Sequence, residues 1–274
     1  MRRLAQIISL MLVCVCTLAS AECKFLKAAE WTVNASADTL VTEGAINGSK
    51  VGVALDTGTN VSRIAGPVAD RLGLVRREAS GLYAVSTGDF AVDATSIREF
   101  RVGGTTVTNW GKLIVQATEA RDHAVVLGYD FFQQVDVEFD LAHNAVRLFR
   151  PQDCGKAVLA YWAPQDARQV PLERDSWRPA MLVPVKLNGK AATALISSGT
   201  AYSVVSNALA MPPLESFAIG DELIRNPALR VGNLGRQDML LGLDFLRAHR
   251  VLVSNSQGLI YFTYIGGRVF ETAR

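Results

Sequence analysis

Four blocks recur in the same order in the two halves of the 274-residue chain. The first is a hairpin pattern around Asn-Gly: "GAINGSKVGVAL" (44–55) and "PVKLNGKAATALI" (184–196). The second is a turn, Asp56-Thr57-Gly58-Thr59 against Ser197-Ser198-Gly199-Thr200. The third is "FRVGGTTVTNWGKLIV" (100–115) against "FAIGDELIRNPALRV" (217–231), and the fourth "VVLGYDFFQQVDVEFDLAHNAVRLF" (125–149) against "MLLGLDFLRAHRVLVSNSQGLIYFT" (239–263). A repeat of this kind predicts two like units built from the same supersecondary parts.

The blocks read as strands and tight turns. Asn47-Gly48 and Asn188-Gly189 supply the positive φ that two-residue hairpin turns demand. "VDVEFD" alternates as a half-buried strand does, and "AVRLF" answers it across Ala142–Asn144; "RVLVSN" and "GLIYFT" repeat the pattern. "GYDFFQQ" and "GLDFLRAH" suit single helical turns, and "PVADRLGL" (67–74) a short helix with Pro67 near its start. The copies differ in length. Gly58 to Gly103 spans 45 residues and Gly199 to Gly220 only 21. The extra stretch contains "GLYAVSTGDFAVDATS" (81–96), which reads as a projecting hairpin around Ser86-Thr87-Gly88 present in the first copy alone.

The first 21 residues stand apart. Arg2 and Arg3 precede the apolar run 4–19, and Ala19-Ser20-Ala21 fits a small-x-small cleavage site, so residues 1–21 read as a secretory signal peptide and the protein as periplasmic or secreted. The run is too short for a spanning helix, and no later stretch suits a membrane anchor. Removing this leader takes 2 of the 28 basic residues, leaving 26 against 26 acidic. A balanced chain without a basic stretch is not a nucleic-acid or anionic-membrane binder. The two remaining cysteines, Cys23 and Cys154, bracket the first half; an even count in an exported chain points to a disulfide between them.

At the turn the sequence resembles the clan of aspartic peptidases, both retropepsin-like and pepsin-like. The matching stretches are "ALDTGTNVS", "VGGTTVTN" and "VLGYDFF", and the resemblance runs over both halves, specific in the first and degenerate in the second. It implies an all-β fold with short helices: two homologous retropepsin-like lobes, 22–153 and 154–274, in a pepsin-like bilobal arrangement. It further implies that Asp56 is the catalytic carboxylate, that Thr57 bonds across to the opposite loop, and that Gly58 admits a close backbone approach. The 81–96 hairpin would be the flap over a peptide or protein substrate, with Tyr83 or Ser86, Thr87 and Gly88 at its working surface.

Peptide hydrolysis by such a site needs two facing carboxylates sharing one proton, one acting as base to water and the other as acid to the carbonyl. Here the position matching the second Asp is Ser197, and no Asp or Glu lies within 195–205. A serine hydroxyl cannot share a proton in that way. Ser198 and Gly199 complete a degenerate partner loop.

The function expected from fold and first-lobe site is an exported aspartic-type endopeptidase using Asp56, with a second chain supplying the other carboxylate as a homodimer through the N-terminal lobe; the alternatives are a catalytically inactive pseudopeptidase that binds extended peptides or a protein partner in the interlobe cleft, and an exported assembly partner. No cofactor or metal is expected. His123, His143 and His249 stand singly, in no triad or metal spacing, and are expected in loops or on the surface.

Overall fold

The computed structural model describes residues 22–79, 83–85, 88–90, 93–117, 122–173, 180–211 and 213–270. The leader lies outside them. The chain is almost entirely β, with short helical turns, and its two halves are built to one plan.

In the first half, strands Val41–Ile46 and Ser49–Leu55 form the Asn-Gly hairpin, with Asn47 at φ 48° and Gly48 at φ 87°. Val53–Leu55 then runs parallel to Val125–Leu127, which pairs antiparallel with Arg63–Ala65, itself parallel to the end of Thr105–Gln116. Val41–Ile46 also pairs with Asp93–Val102, so this seven-stranded sheet curls back on itself.

The second half repeats the sequence of pairings. Leu182–Leu187 and Lys190–Ile196 form the hairpin, with Asn188 at φ 50° and Gly189 at φ 76°. Ala194–Ile196 runs parallel to Met239–Leu241, which pairs with Val204–Ser206, itself parallel to Arg230–Gly232. Apolar side chains facing inward from both copies, among them Leu55, Ile64, Leu127, Ile196, Val205 and Leu241, are fully buried in one continuous core.

A third, six-stranded sheet joins the halves through the antiparallel pair Asp136–Asp140 and His249–Ser254. Here the sequence expectation of a half-buried strand fails. All five residues of Asp136–Asp140 are buried, because the strand lies inside the sheet with both faces covered. Its alternate polar side chains are accommodated by pairing: Glu138 accepts from Arg147 at 2.7 Å and Arg250 at 2.8 Å, one arginine from each half. At one edge, Arg168–Pro171 pairs with Leu259–Tyr264, an edge position that tolerates Pro171. At the other, Lys24–Thr32 pairs with Ala145–Gln152, and a Cys23–Cys154 disulfide staples the outer end beside stacked Phe25 and Phe149.

The helical turns fall at Gly66–Arg71, Tyr129–Phe132 and Leu243–Ala248. Among the described residues, no helix is long and apolar enough to cross a membrane.

Candidate active site

Each turn loop is launched by the same device. Strand Ser49–Leu55 delivers Asp56, whose amide donates to the Leu127 carbonyl at 2.9 Å; strand Lys190–Ile196 delivers Ser197, whose amide donates to the Leu241 carbonyl at 2.9 Å. The LG-x-D blocks hold the far side of each loop. Ser62 Oγ donates to Asp130 at 2.6 Å and accepts from the Gly128 amide at 2.9 Å; Ser203 Oγ donates to Asp244 at 2.6 Å and accepts from the Gly242 amide at 2.9 Å. Both glycines are needed, since a Cβ on Gly128 would lie 2.7 Å from the Val61 carbonyl carbon and one on Gly242 2.6 Å from that of Tyr202. Ser62 and Ser203 each stand six residues after the head of their loop. That shared offset was the signal available in the sequence for this support.

The two loops then lock to each other. Thr57 Oγ1 donates to the Ile196 carbonyl at 2.8 Å and accepts from the Ser198 amide at 3.0 Å. Reciprocally, Ser198 Oγ donates to the Leu55 carbonyl at 2.9 Å and accepts from the Thr57 amide at 3.1 Å. Both side chains are buried, so each hydrogen bond satisfies a backbone group that water does not reach.

This lock sets which faces meet. A Cβ added to Gly199 would fall on the Asp56 carboxyl group, and one added to Gly58 would fall on the Ser197 side chain. Asp56 therefore lies against the second loop and Ser197 against the first. Asp56 Oδ1 accepts from the Gly58 amide at 3.0 Å. Ser197 is buried, and its hydroxyl makes no hydrogen bond among the described residues.

One residue of the site went unnoticed in the sequence. Arg63 opens the short strand Arg63–Ala65 and turns its guanidinium back over the loop: one terminal nitrogen donates to Thr59 Oγ1 at 2.8 Å and the other stands 3.7 Å from Asp56 Oδ2. Both side chains are about one-fifth exposed, at 19% and 20%. The matching residue of the second half, Val204, carries no charge. Burial raises the Asp56 carboxyl above its ordinary value; Arg63, the amides of Gly58 and Thr59, and the charge of His123 oppose that rise.

Of the expected hairpin 81–96, the described residues include strands Tyr83–Val85 and Gly88–Phe90, which pair antiparallel with Tyr83 opposite Phe90 and Val85 opposite Gly88. Ser86 and Thr87 lie outside the described residues. His249 corrects an expectation: it is fully buried, not in a loop or on the surface. It stacks on Phe245 at 4.2 Å, and its ring nitrogens meet the Phe245 carbonyl and Glu222 at 2.9 Å each. The pairing with Glu222 offsets the cost of its burial. Among the described residues, no group of three or more His, Cys, Asp and Glu is placed to hold a metal ion.

Comparison with known proteins agrees with this geometry. Residues 42–131 match the family described as Aspartyl protease, a stretch holding the Asp56 loop and the first LG-x-D block. A search of curated protein sequences finds no match to the chain. Among solved structures, the crystal structure of the aspartic proteinase from Irpex lacteus superposes with a TM-score of 0.54 at 13% identity, covering 86% of this chain and 96% of that one. At that identity the likeness is one of fold. The chain thus carries the pepsin-like fold of the aspartic proteases, with its family match confined to the first half.

Proposed function

We propose that this protein binds extended peptides in the cleft between its halves and does not hydrolyse them by itself. The observation that supports this reading is the pair of faces set by the lock: Gly199 against Asp56, and Gly58 against Ser197. Proton sharing needs a second carboxyl group in that place, and a hydroxyl stands there. Arg63 beside Asp56 adds a positive charge, so the loop region carries a compensated carboxylate. The hairpin Tyr83–Phe90 would cover the peptide, which would pair through its backbone with the cleft strands.

The homodimeric peptidase is the weaker reading. Bringing in Asp56 of a second chain requires breaking the hydrogen bonds between Thr57 and Ser198, which one chain already makes within itself. The halves also share a sheet, which resists such a rearrangement. One observation favours retained hydrolysis. The Asp56 loop is intact, and its carboxyl is raised in the direction a proton-transferring group needs.

Export to the periplasm or the outside goes with this reading. The disulfide supports it, since such bonds persist in oxidising compartments. The test is equilibrium binding of a fluorescent octapeptide pool to residues 22–274, measured by anisotropy. Saturable binding that survives Asp56→Asn is expected. Absence of saturable binding between pH 4 and 8 would refute the reading.

A further inference from the structure

Arg63 has donors to spare. Its NH1 is used on Thr59, while NH2 stands 3.7 Å from Asp56 Oδ2, beyond hydrogen-bonding length. Neither NH2 nor Nε has a hydrogen-bond partner among the described residues. The side chain is 19% exposed, and its Nε and NH2 are not among the buried side-chain atoms that lack a partner, so both can be reached from solvent. A planar guanidinium in this condition is a fork for a carboxylate, which it takes through two parallel hydrogen bonds.

We propose that Arg63, Asp56 and Ser197 together form a receptor for a carboxylate of the bound peptide, rather than a site for its amide bonds. The inference rests on the peptide-binding reading above. Arg63 places a positive charge beside Asp56, which two carboxylates sharing one proton lack. A ligand carboxylate entering beside Asp56 supplies the missing second acid. Arg63 Nε and NH2 face one charge, Ser197 offers a neutral hydroxyl donor where a fixed carboxylate would repel, and Asp56 shares a proton with the ligand as paired carboxyls do. Burial already moves Asp56 toward accepting that proton. No covalent bond forms or breaks; one proton is taken up from solvent for each carboxylate bound.

Two sources carry this chemistry, a peptide C-terminus and an acidic side chain, and three fluorescent octapeptide pools separate them. One lacks Asp and Glu and ends in a free acid; the second is the same pool as C-terminal amides; the third is the amide pool with one Glu per peptide. Binding at pH 5 is expected to be about tenfold tighter for the free-acid pool, the Glu pool or both than for the plain amide pool, in line with a charge-assisted pair. The acid bound more tightly names the source. Arg63→Gln should reduce the preference to under about twofold, and Arg63→Lys should keep part of it.

Affinity for the favoured pool should fall from pH 5 to pH 8. Asp56→Asn should flatten that profile; the other charged groups that act on Asp56 are Arg63 and His123. Equal binding of the three pools by the wild type would overturn the carboxylate receptor while leaving peptide binding intact. Failure of all three to bind would remove the peptide-binding reading, and this inference with it. The wild-type comparison needs no variant, so misfolding of Arg63→Gln cannot blur it.

Discussion

Thr57 and Ser198 each donate to the backbone carbonyl that precedes the other's loop and accept an amide from the other's residue, so two side chains close four hydrogen bonds across the two halves. The second loop carries Ser197 where the first carries Asp56, and its Ser198 does the same mechanical work as Thr57.

Ser198→Ala leaves the Thr57 amide and the Leu55 carbonyl without partners in a buried place, and should cost roughly 2–4 kcal/mol in urea unfolding. Thr57→Val should cost a similar amount for the Ser198 amide and the Ile196 carbonyl. Because the two side chains form one unit, the double variant should cost clearly less than the sum of the two single changes. Ser198→Thr, which keeps the hydroxyl, should cost less than Ser198→Ala.

Gly199→Ala tests the facing of Asp56. The added methyl falls on the carboxyl group, and overpacking of that kind costs about 1–3 kcal/mol. Gly199→Ala combined with Asp56→Gly should recover more than half of the loss. Additive destabilisation in the pair would mean that the two residues do not meet.

Asp56 also carries a pH signature. A carboxyl whose folded value lies above its unfolded value, here 3.8, holds its proton more tightly in the folded state. It therefore costs stability once pH rises through its folded value, and that cost disappears as pH falls below 3.8. Asp56→Asn should raise the melting temperature at pH 7, where the wild-type carboxyl is held ionised against its burial. The gain should shrink toward zero by pH 3.5. Thermal melts of both proteins across that range give the difference curve.

The Cys23–Cys154 bridge closes a loop with a sequence separation of 131, and chain entropy alone assigns such a closure roughly 5 kcal/mol. Removing both cysteines as Cys23→Ser/Cys154→Ser should lower unfolding stability by about 2–5 kcal/mol. The strand Lys24–Thr32 should then be the first to gain amide exchange, since it forms the sheet edge beside the bridge.

The parts of this molecule visible in the sequence are those encoded locally. Asn47-Gly48 and Asn188-Gly189 announce their turns because few residue pairs take two consecutive positive φ values. The order of blocks made Ser197 the counterpart of Asp56, which depends only on spacing. What escaped depends on where strands end up after folding. Asp136–Asp140 reads as half-buried because its sequence alternates, yet its polar members face Arg147 and Arg250 rather than water. His249 carries nothing nearby in sequence to show that Glu222 waits for it from another strand. Arg63 is the instructive case: a charged residue opening a short strand normally points to solvent, and only the tertiary position of the loop shows that it covers Asp56.

On the peptide-binding proposal, a peptide in this cleft meets one carboxylate and a hydroxyl, and so is held rather than cut. The most direct measurement is mass spectrometry of an unlabelled octapeptide mixture incubated with residues 22–274 and with the Asp56→Asn variant, from pH 3 to pH 8. Identical, intact peptide profiles are expected for the two proteins at every pH. Cleavage products made by the wild type and absent with Asp56→Asn would contradict the proposal.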